Sequence, residues 1–213
     1  MTGDSCKTSQ AKGFVLSNEM EIKTIAIVGA ADLGRRVAYA TALAGFRTIL
    51  EDISPSALEH GIAWIAWMLD ENVSSGKVGA AARDAALANL STVSSAEDAS
   101  READLIIETV SDELEMKLEL FTIFDKFAKP GAIFASTTTS LSITELADVT
   151  FSPERCLGMR FIADAQHAER LELVKGRETS EETITACREV GCCMGREVFV
   201  ISEEQTLSAS NGA

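Results

Sequence analysis

One stretch constrains this chain more than any other: Ile25-Ala26-Ile27-Val28-Gly29-Ala30-Ala31-Asp32-Leu33-Gly34, a β-branched run that passes through glycine into a helical pattern. A strand, a tight turn and a helix start in direct succession form the opening unit of a parallel sheet covered by helices on both faces. From Lys23 onward the same alternation continues. Strands are expected at Thr24 to Val28, Thr48 to Glu51, Leu105 to Val110, Ala132 to Ser136, Cys156 to Ile162, Leu171 to Val174 and Val198 to Ile201. Helices fill the intervals. Leu33 to Ala44 follows the first strand, and Pro55 to Val73 begins with Ser54 ahead of a first-turn proline. Ser142 with Glu145, and Thr179 with Glu182, match the capping box. The expected fold is α/β, a doubly wound, mostly parallel, Rossmann-like sheet in a single domain over residues 22–201. A flexible tail is expected at residues 1–21 and another at 202–213.

Composition removes several function classes. The formal charge is -14, from 33 acidic and 19 basic side chains, and nine carboxylates against two basic residues between Glu97 and Glu119 concentrate it. Such a surface repels nucleic acid and anionic membranes, so neither is an expected partner. The longest apolar run, Ile62 to Leu69, is eight residues, against the roughly 20 that a membrane helix requires. The first 21 residues lack the basic start and apolar core of a signal peptide. Five cysteines (Cys6, Cys156, Cys187, Cys192, Cys193) make no C-x-x-C pair, and His60 and His167 stand alone, so no metal site is expected. Reduced, mostly buried thiols and a cytoplasmic location follow.

The glycine turn carries the first chemistry. In dinucleotide-binding folds it sets a pyrophosphate on the helix N-terminus, where free amides and the helix dipole favour an anion. Gly29, Ala31, Asp32, Leu33 and Gly34 are the candidate contacts for NAD. Asp52 closes the second strand 18 residues beyond Gly34, where an acid bonds the adenosine ribose and repels the extra phosphate of NADP. Two residues work against the cofactor. Ala31 places a methyl where the backbone approaches the pyrophosphate, and Asp32 is expected to cap the helix, competing with phosphate for its amides while Arg35 and Arg36 compensate in part.

The turn, the stretch Tyr39-Ala40-Thr41-Ala42-Leu43-Ala44-Gly45 leading to Leu50-Glu51-Asp52, the run Ala103-Asp104-Leu105-Ile106-Ile107-Glu108 and the segment Ser140-Leu141-Ser142-Ile143-Thr144-Glu145 together resemble the NAD-binding domain of the 3-hydroxyacyl-CoA dehydrogenases. The resemblance extends from about Ile22 to Ile201. It implies an enzyme that oxidises the 3-hydroxyl of a hydroxyacyl-CoA, passing hydride to NAD while a histidine, oriented by a glutamate, takes the proton. Where the family reads Gly-x-His-Phe-Phe-Asn-Pro, this chain reads Gly158-Met159-Arg160-Phe161-Ile162-Ala163-Asp164. Arg160 stands at the histidine position, and guanidinium offers donors only and stays protonated, so it cannot act as that base. The family's asparagine is replaced by Ala163.

The resemblance places the orienting glutamate at Glu172, twelve residues beyond Arg160, and the substrate-contacting serine at Thr139. These two are the retained catalytic candidates. A glutamate and a lysine that contact the dinucleotide map to Asp112 and Lys117. Each has a plain alternative: Glu172 a surface carboxylate, Thr139 a β-branched turn, Lys117 a helical ion pair with Glu113 four residues earlier. His167, in a polar stretch, is a weak substitute base. His60 is expected to face solvent, and Trp64, Trp67 and Leu69 to pack. Beyond the last strand the family continues with an Asp-x-Pro-Gly-Phe motif and a helical domain that walls the active site and forms the dimer contact. Ser202-Glu203-Glu204-Gln205 begins the corresponding stretch here, and a chain without that domain is the expectation.

Three readings follow. The first is a NAD(H)-binding relic that holds an acyl-CoA or another anionic small molecule but is catalytically impaired. The second is a working oxidoreductase that uses a substitute base, or is completed by a homo-oligomer or a separate helical-domain partner. The third is an interaction module that binds no nucleotide and uses the acidic face from Glu97 to Glu119.

Overall fold

The computed structural model of the chain describes residues 21–163 and 169–204. In chain order the elements are β1 (Thr24–Val28), α1 (Asp32–Leu43), β2 (Arg47–Glu51), α2 (Pro55–Ser74), α3 (Ala80–Ala88), β3 (Leu90–Val93), α4 (Ala96–Glu102), β4 (Leu105–Glu108), α5 (Leu114–Phe127), β5 (Ile133–Ser136), α6 (Ile143–Ala147), β6 (Cys156–Ala163), β7 (Glu169–Lys175), α7 (Glu181–Cys193) and β8 (Glu197–Ser202). They form one eight-stranded sheet in the order β3-β2-β1-β4-β5-β6-β7-β8. Pairing is parallel throughout except between β6 and β7. The winding reverses between β1 and β4, so a crevice opens beyond the carboxyl ends of these strands, where doubly wound sheets bind ligands.

Side-chain alternation along each strand feeds two cores. Ile25, Ile27, Leu50, Leu105 and Ile107 face α1, α2 and α7, meeting Val37, Ile65 and Val190. Ala26, Val28, Ile49 and Ile106 face the opposite layer, where Phe121, Phe124 and Phe134 pack with ring centroids 5.6 to 6.4 Å apart. Burial on both faces explains why β1, β4 and β5 read as unbroken apolar runs rather than alternating ones.

Several expectations need correction. β3 was not anticipated, because Leu90-Ser91-Thr92-Val93 is a short edge strand with two exposed polar residues. β4 ends at Glu108 rather than Val110: the Glu108 carboxylate accepts the Val110 amide at 2.7 Å and curls the chain out of the sheet. The cap of α7 is Ser180, which accepts from the Thr183 amide, and not Thr179. Thr179 is buried and donates to the Cys156 carbonyl at 2.6 Å, tying the loop to β6. Ser142 does cap α6, through the Glu145 amide. In α2 the buried stripe is Leu58, Gly61, Ile65 and Leu69. Trp67 lies about 200° of helix rotation past Ile65 and is largely exposed, whereas Trp64 packs on the core. His60 is exposed as expected. Cys156 and Cys187 are buried but Cys193 is exposed, and Cys6 lies outside the described residues. Among the described residues no helix is long and apolar enough to cross a membrane.

Candidate functional site

The turn after β1 is built from glycines for two separate reasons. Gly29 has φ +102°, a conformation costly for any other residue. Gly34 has an ordinary helical backbone, but a Cβ there would lie 1.8 Å from the Gly29 carbonyl oxygen, so α1 can approach the turn only without a side chain. Neighbouring strands hold the turn rigid. The Gly29 amide donates to the Glu51 carbonyl at 2.9 Å, and the Thr109 hydroxyl donates to the carbonyls of Val28 and Gly29. Ala31 is the N-cap of α1, in extended conformation, and supplies no side-chain cap. Its methyl is therefore compatible with the turn backbone, and the first amides of α1 stay open to an anion.

Asp32 departs from expectation. Its carboxylate turns away from the amides to pair with Arg35 at 2.8 Å and Arg36 at 3.6 Å. The two arginines thus offset the charge at the helix start. Leu33 is half-buried and packs against the first core.

Asp52 sits where the resemblance places the ribose contact. One oxygen accepts from the Ala30 amide and the other from the Ser54 amide, each at 2.9 Å. A carboxylate accepts about four hydrogen bonds, so both oxygens retain capacity for ribose hydroxyls. Beside it opens a cleft of about 500 Å³ whose lining includes Gly29, Glu51, Asp52, Ile53, Met116 and Glu119. Ile53 is 86% exposed and Met116 40% exposed. These are apolar walls that a flat heterocycle would cover. Glu51, only 3% exposed, also lines the cleft. Burial, and then the adjacent Asp52 charge, push its carboxyl up to about 7, with the Gly29 amide opposing. The turn, Asp52 and the apolar walls together fit the adenosine and pyrophosphate portions of a dinucleotide. A larger cavity of about 760 Å³ runs along α1 and α2 to the α7–β8 turn and shares only Asp32 with these residues.

Lys117 does not pair with Glu113. Its ammonium lies at 2.6 and 2.7 Å from the two Glu108 oxygens, 3.2 Å from the Val110 carbonyl and 3.3 Å from Asp112. Both Lys117 and Glu108 are fully buried. The three donors of the ammonium are thereby committed inside the protein, so Lys117 positions its neighbours rather than reaching a ligand. Glu108 also accepts from the Ser136 hydroxyl at 2.7 Å. Burial pushes its carboxyl above the usual range, against Lys117 and Ser136. Asp112 in turn holds the loop after β5, accepting the Thr139 amide at 3.2 Å and the Ser140 hydroxyl at 3.0 Å. Desolvation opposes ionisation of Asp112, but Thr138, Thr139, Ser140 and Lys117 outweigh it and hold the carboxyl below its usual value. Thr139 itself is exposed at the crevice.

Arg160 and Glu172 are directly opposed across the antiparallel β6–β7 pair. Arg160 is 9% exposed, and its Nε donates to the Thr138 carbonyl at 2.8 Å. Burial pulls the guanidinium below its ordinary value while Glu172, Asp112 and Glu203 oppose that shift. The structure therefore joins Arg160, Glu172, Asp112 and the Thr138–Ser140 loop into one charged cluster. His167 lies outside the described residues, as do the side chains at 163 and 169. Among the described residues no group of three or more His, Cys, Asp or Glu could hold a metal ion.

A doubly wound sheet with this glycine turn and strand-end aspartate defines a dinucleotide-binding class of fold. Comparison with known proteins makes the assignment specific. The family described as "3-hydroxyacyl-CoA dehydrogenase, NAD binding domain" matches residues 24–205, and the chain belongs to that family. It is 36% identical over 179 residues to 3-hydroxybutyryl-CoA dehydrogenase of Bradyrhizobium diazoefficiens, covering 84% of this chain and 61% of the relative. It is 32% identical over 184 residues to a probable 3-hydroxybutyryl-CoA dehydrogenase of Bacillus subtilis, covering 86% and 64%. Among solved structures, (S)-3-hydroxybutyryl-CoA dehydrogenase from Ralstonia eutropha superposes with TM-score 0.80 at 31% identity, covering 85% of this chain and 64% of that one. The chain thus spans less than two thirds of the length of these relatives.

Proposed function

We propose that this chain is a NAD(H)-binding member of the 3-hydroxyacyl-CoA dehydrogenase family whose own hydride-transfer chemistry is impaired. The observation that carries the second half is Arg160. A base in this reaction must accept a proton near the operating pH, and Arg160 is a buried, donor-only group bonded to the Thr138 carbonyl and opposed to Glu172. When bound, NAD supplies the hydride acceptor. The protein's part is to cradle it: open amides at the start of α1 for the pyrophosphate, Asp52 for the ribose, Ile53 and Met116 for the adenine. The cationic Arg160, bonded to the Thr138 carbonyl beside the exposed Thr139, suits a carboxylate, thioester oxygen or phosphate.

Thr139 and Glu172 favour a second reading. They keep a hydroxyl and a carboxylate at the positions the family resemblance assigns to the substrate contact and the orienting acid, so a base brought by another chain would complete a working site for a 3-hydroxyacyl-CoA.

Equilibrium titration tests the binding half. NADH should bind and quench intrinsic fluorescence, and NADPH should bind far more weakly because Asp52 repels its extra phosphate. Asp52→Ala should weaken NADH about tenfold, the loss of a charge-assisted hydrogen bond worth about 1.5 kcal/mol. Absence of NADH binding would remove this reading and leave the acidic face from Glu97 to Glu119 as the functional surface.

A further inference from the structure

The cofactor cleft contains a residue that the cradle does not require. β2 is buried through its last position, and Glu51 points to the same sheet face as Ile49 and Val28, into the wall of the cleft beside Asp52. We propose that Glu51 couples dinucleotide binding to proton uptake: its neutral carboxyl admits the adenosine half of NAD(H), and its ionised carboxylate opposes it. This inference rests on the cofactor reading above.

The geometry determines which of the two adjacent acids takes the proton. Asp52 is partnered on both oxygens, by the Ala30 and Ser54 amides. Glu51 faces the Gly29 amide, which already donates to the Glu51 backbone carbonyl. The charged groups lining the same cleft are Asp52 at the end of β2, Glu97 on α4 and Glu119 on α5, all acidic, while β1 and the loop after β4 contribute only Val28, Gly29 and Val110. A dinucleotide filling the cleft covers the little of Glu51 that is still exposed and adds the negative pyrophosphate nearby. Both effects penalise the ionised form and leave the neutral one untouched. Burial and the adjacent Asp52 charge already push the carboxyl up to about 7. Solvent therefore supplies a proton as the ligand enters. If only the neutral form binds, apparent affinity follows its population and falls about thirtyfold between about pH 6 and about pH 8.5.

Calorimetric titration of the full chain with NADH, in phosphate and in Tris at about pH 7, counts the protons exchanged from the difference in heats. The wild type should take up a fraction of one proton per NADH, and its Kd should rise across the pH range given. Glu51→Gln should bind NADH with a flat pH profile and no uptake. Binding by the wild type that is flat with pH and releases or takes up no proton overturns the inference while preserving the cofactor site. The same pH dependence in Glu51→Gln also overturns it, by assigning the proton elsewhere. No NADH binding at either pH removes the cofactor reading itself, and this inference with it.

Discussion

Lys117→Met is expected to destabilise the fold by about 3–5 kcal/mol, the cost of stranding one partner of a buried ion pair. Nothing else near Glu108 replaces the two contacts of 2.6 and 2.7 Å, since the Ser136 hydroxyl and the Val110 amide are neutral donors. The loss should depend on pH, with a definite sign. Burial already raises the Glu108 carboxyl, and without Lys117 it rises further. A carboxyl whose folded pKa exceeds its unfolded value stabilises the fold at low pH, and that stability is lost as pH rises through the folded pKa. The variant should therefore lie closer to wild type at about pH 5 than at about pH 8. Urea denaturation followed by circular dichroism measures both. Glu108→Gln combined with Lys117→Met should recover much of the loss, because the pair's own net worth is small compared with the cost of breaking it. A deficit below about 1 kcal/mol at about pH 8 would contradict the buried pair. The same substitution also releases Asp112, so the Thr139–Ser140 loop should lose order with it.

Gly34→Ala is expected to lower NADH affinity by more than tenfold and to cost about 2 kcal/mol of stability. Alanine gains about 1 kcal/mol of helix propensity over glycine. At this position, however, the added methyl meets backbone, with the Gly29 carbonyl oxygen 1.8 Å away and the Thr109 hydroxyl 2.7 Å away. Backbone cannot yield as a side-chain tip does, so overpacking prevails and α1 must lift off the turn. Gly61→Ala is the matched control. It lies inside α2, its nearest neighbour is the flexible Leu50 Cδ2 at 3.1 Å, and its stability should stay within about 1 kcal/mol of wild type. Wild-type NADH affinity in Gly34→Ala would show that the turn does not carry the pyrophosphate.

Strong local patterns made most of the fold legible. β1, α1, β2, α2 and the strands from β5 to β8 match their expected positions within a few residues, because apolar runs buried on both faces and helices with caps leave signals within a few residues of themselves. β3 left none, since an edge strand with exposed Ser91 and Thr92 has no apolar run to find. The glycine turn and Asp52 were readable as a site, but the direction of the Asp32 carboxylate was not. Whether it caps its helix or pairs with Arg35 and Arg36 depends on rotamers that sequence does not encode. The burial of Lys117 does have a signal in the sequence. Lys117, Phe121 and Phe124 fall on one helical stripe, spaced four and three residues apart, so a lysine on the core face of α5 demanded a buried acid. Glu108, ending an apolar strand, was that acid. Glu51 ends its strand in the same way without a cation beside it, and its raised carboxyl is the consequence.

The central claim is that the chain holds NAD(H) but lacks a base of its own at Arg160. Its most direct test follows NADH oxidation by the full chain with NADH in saturating excess and acetoacetyl-CoA varied. The expected result is bound NADH with no protein-dependent oxidation. Oxidation that saturates with acetoacetyl-CoA and is abolished by Glu172→Gln or Thr139→Ala would contradict the account.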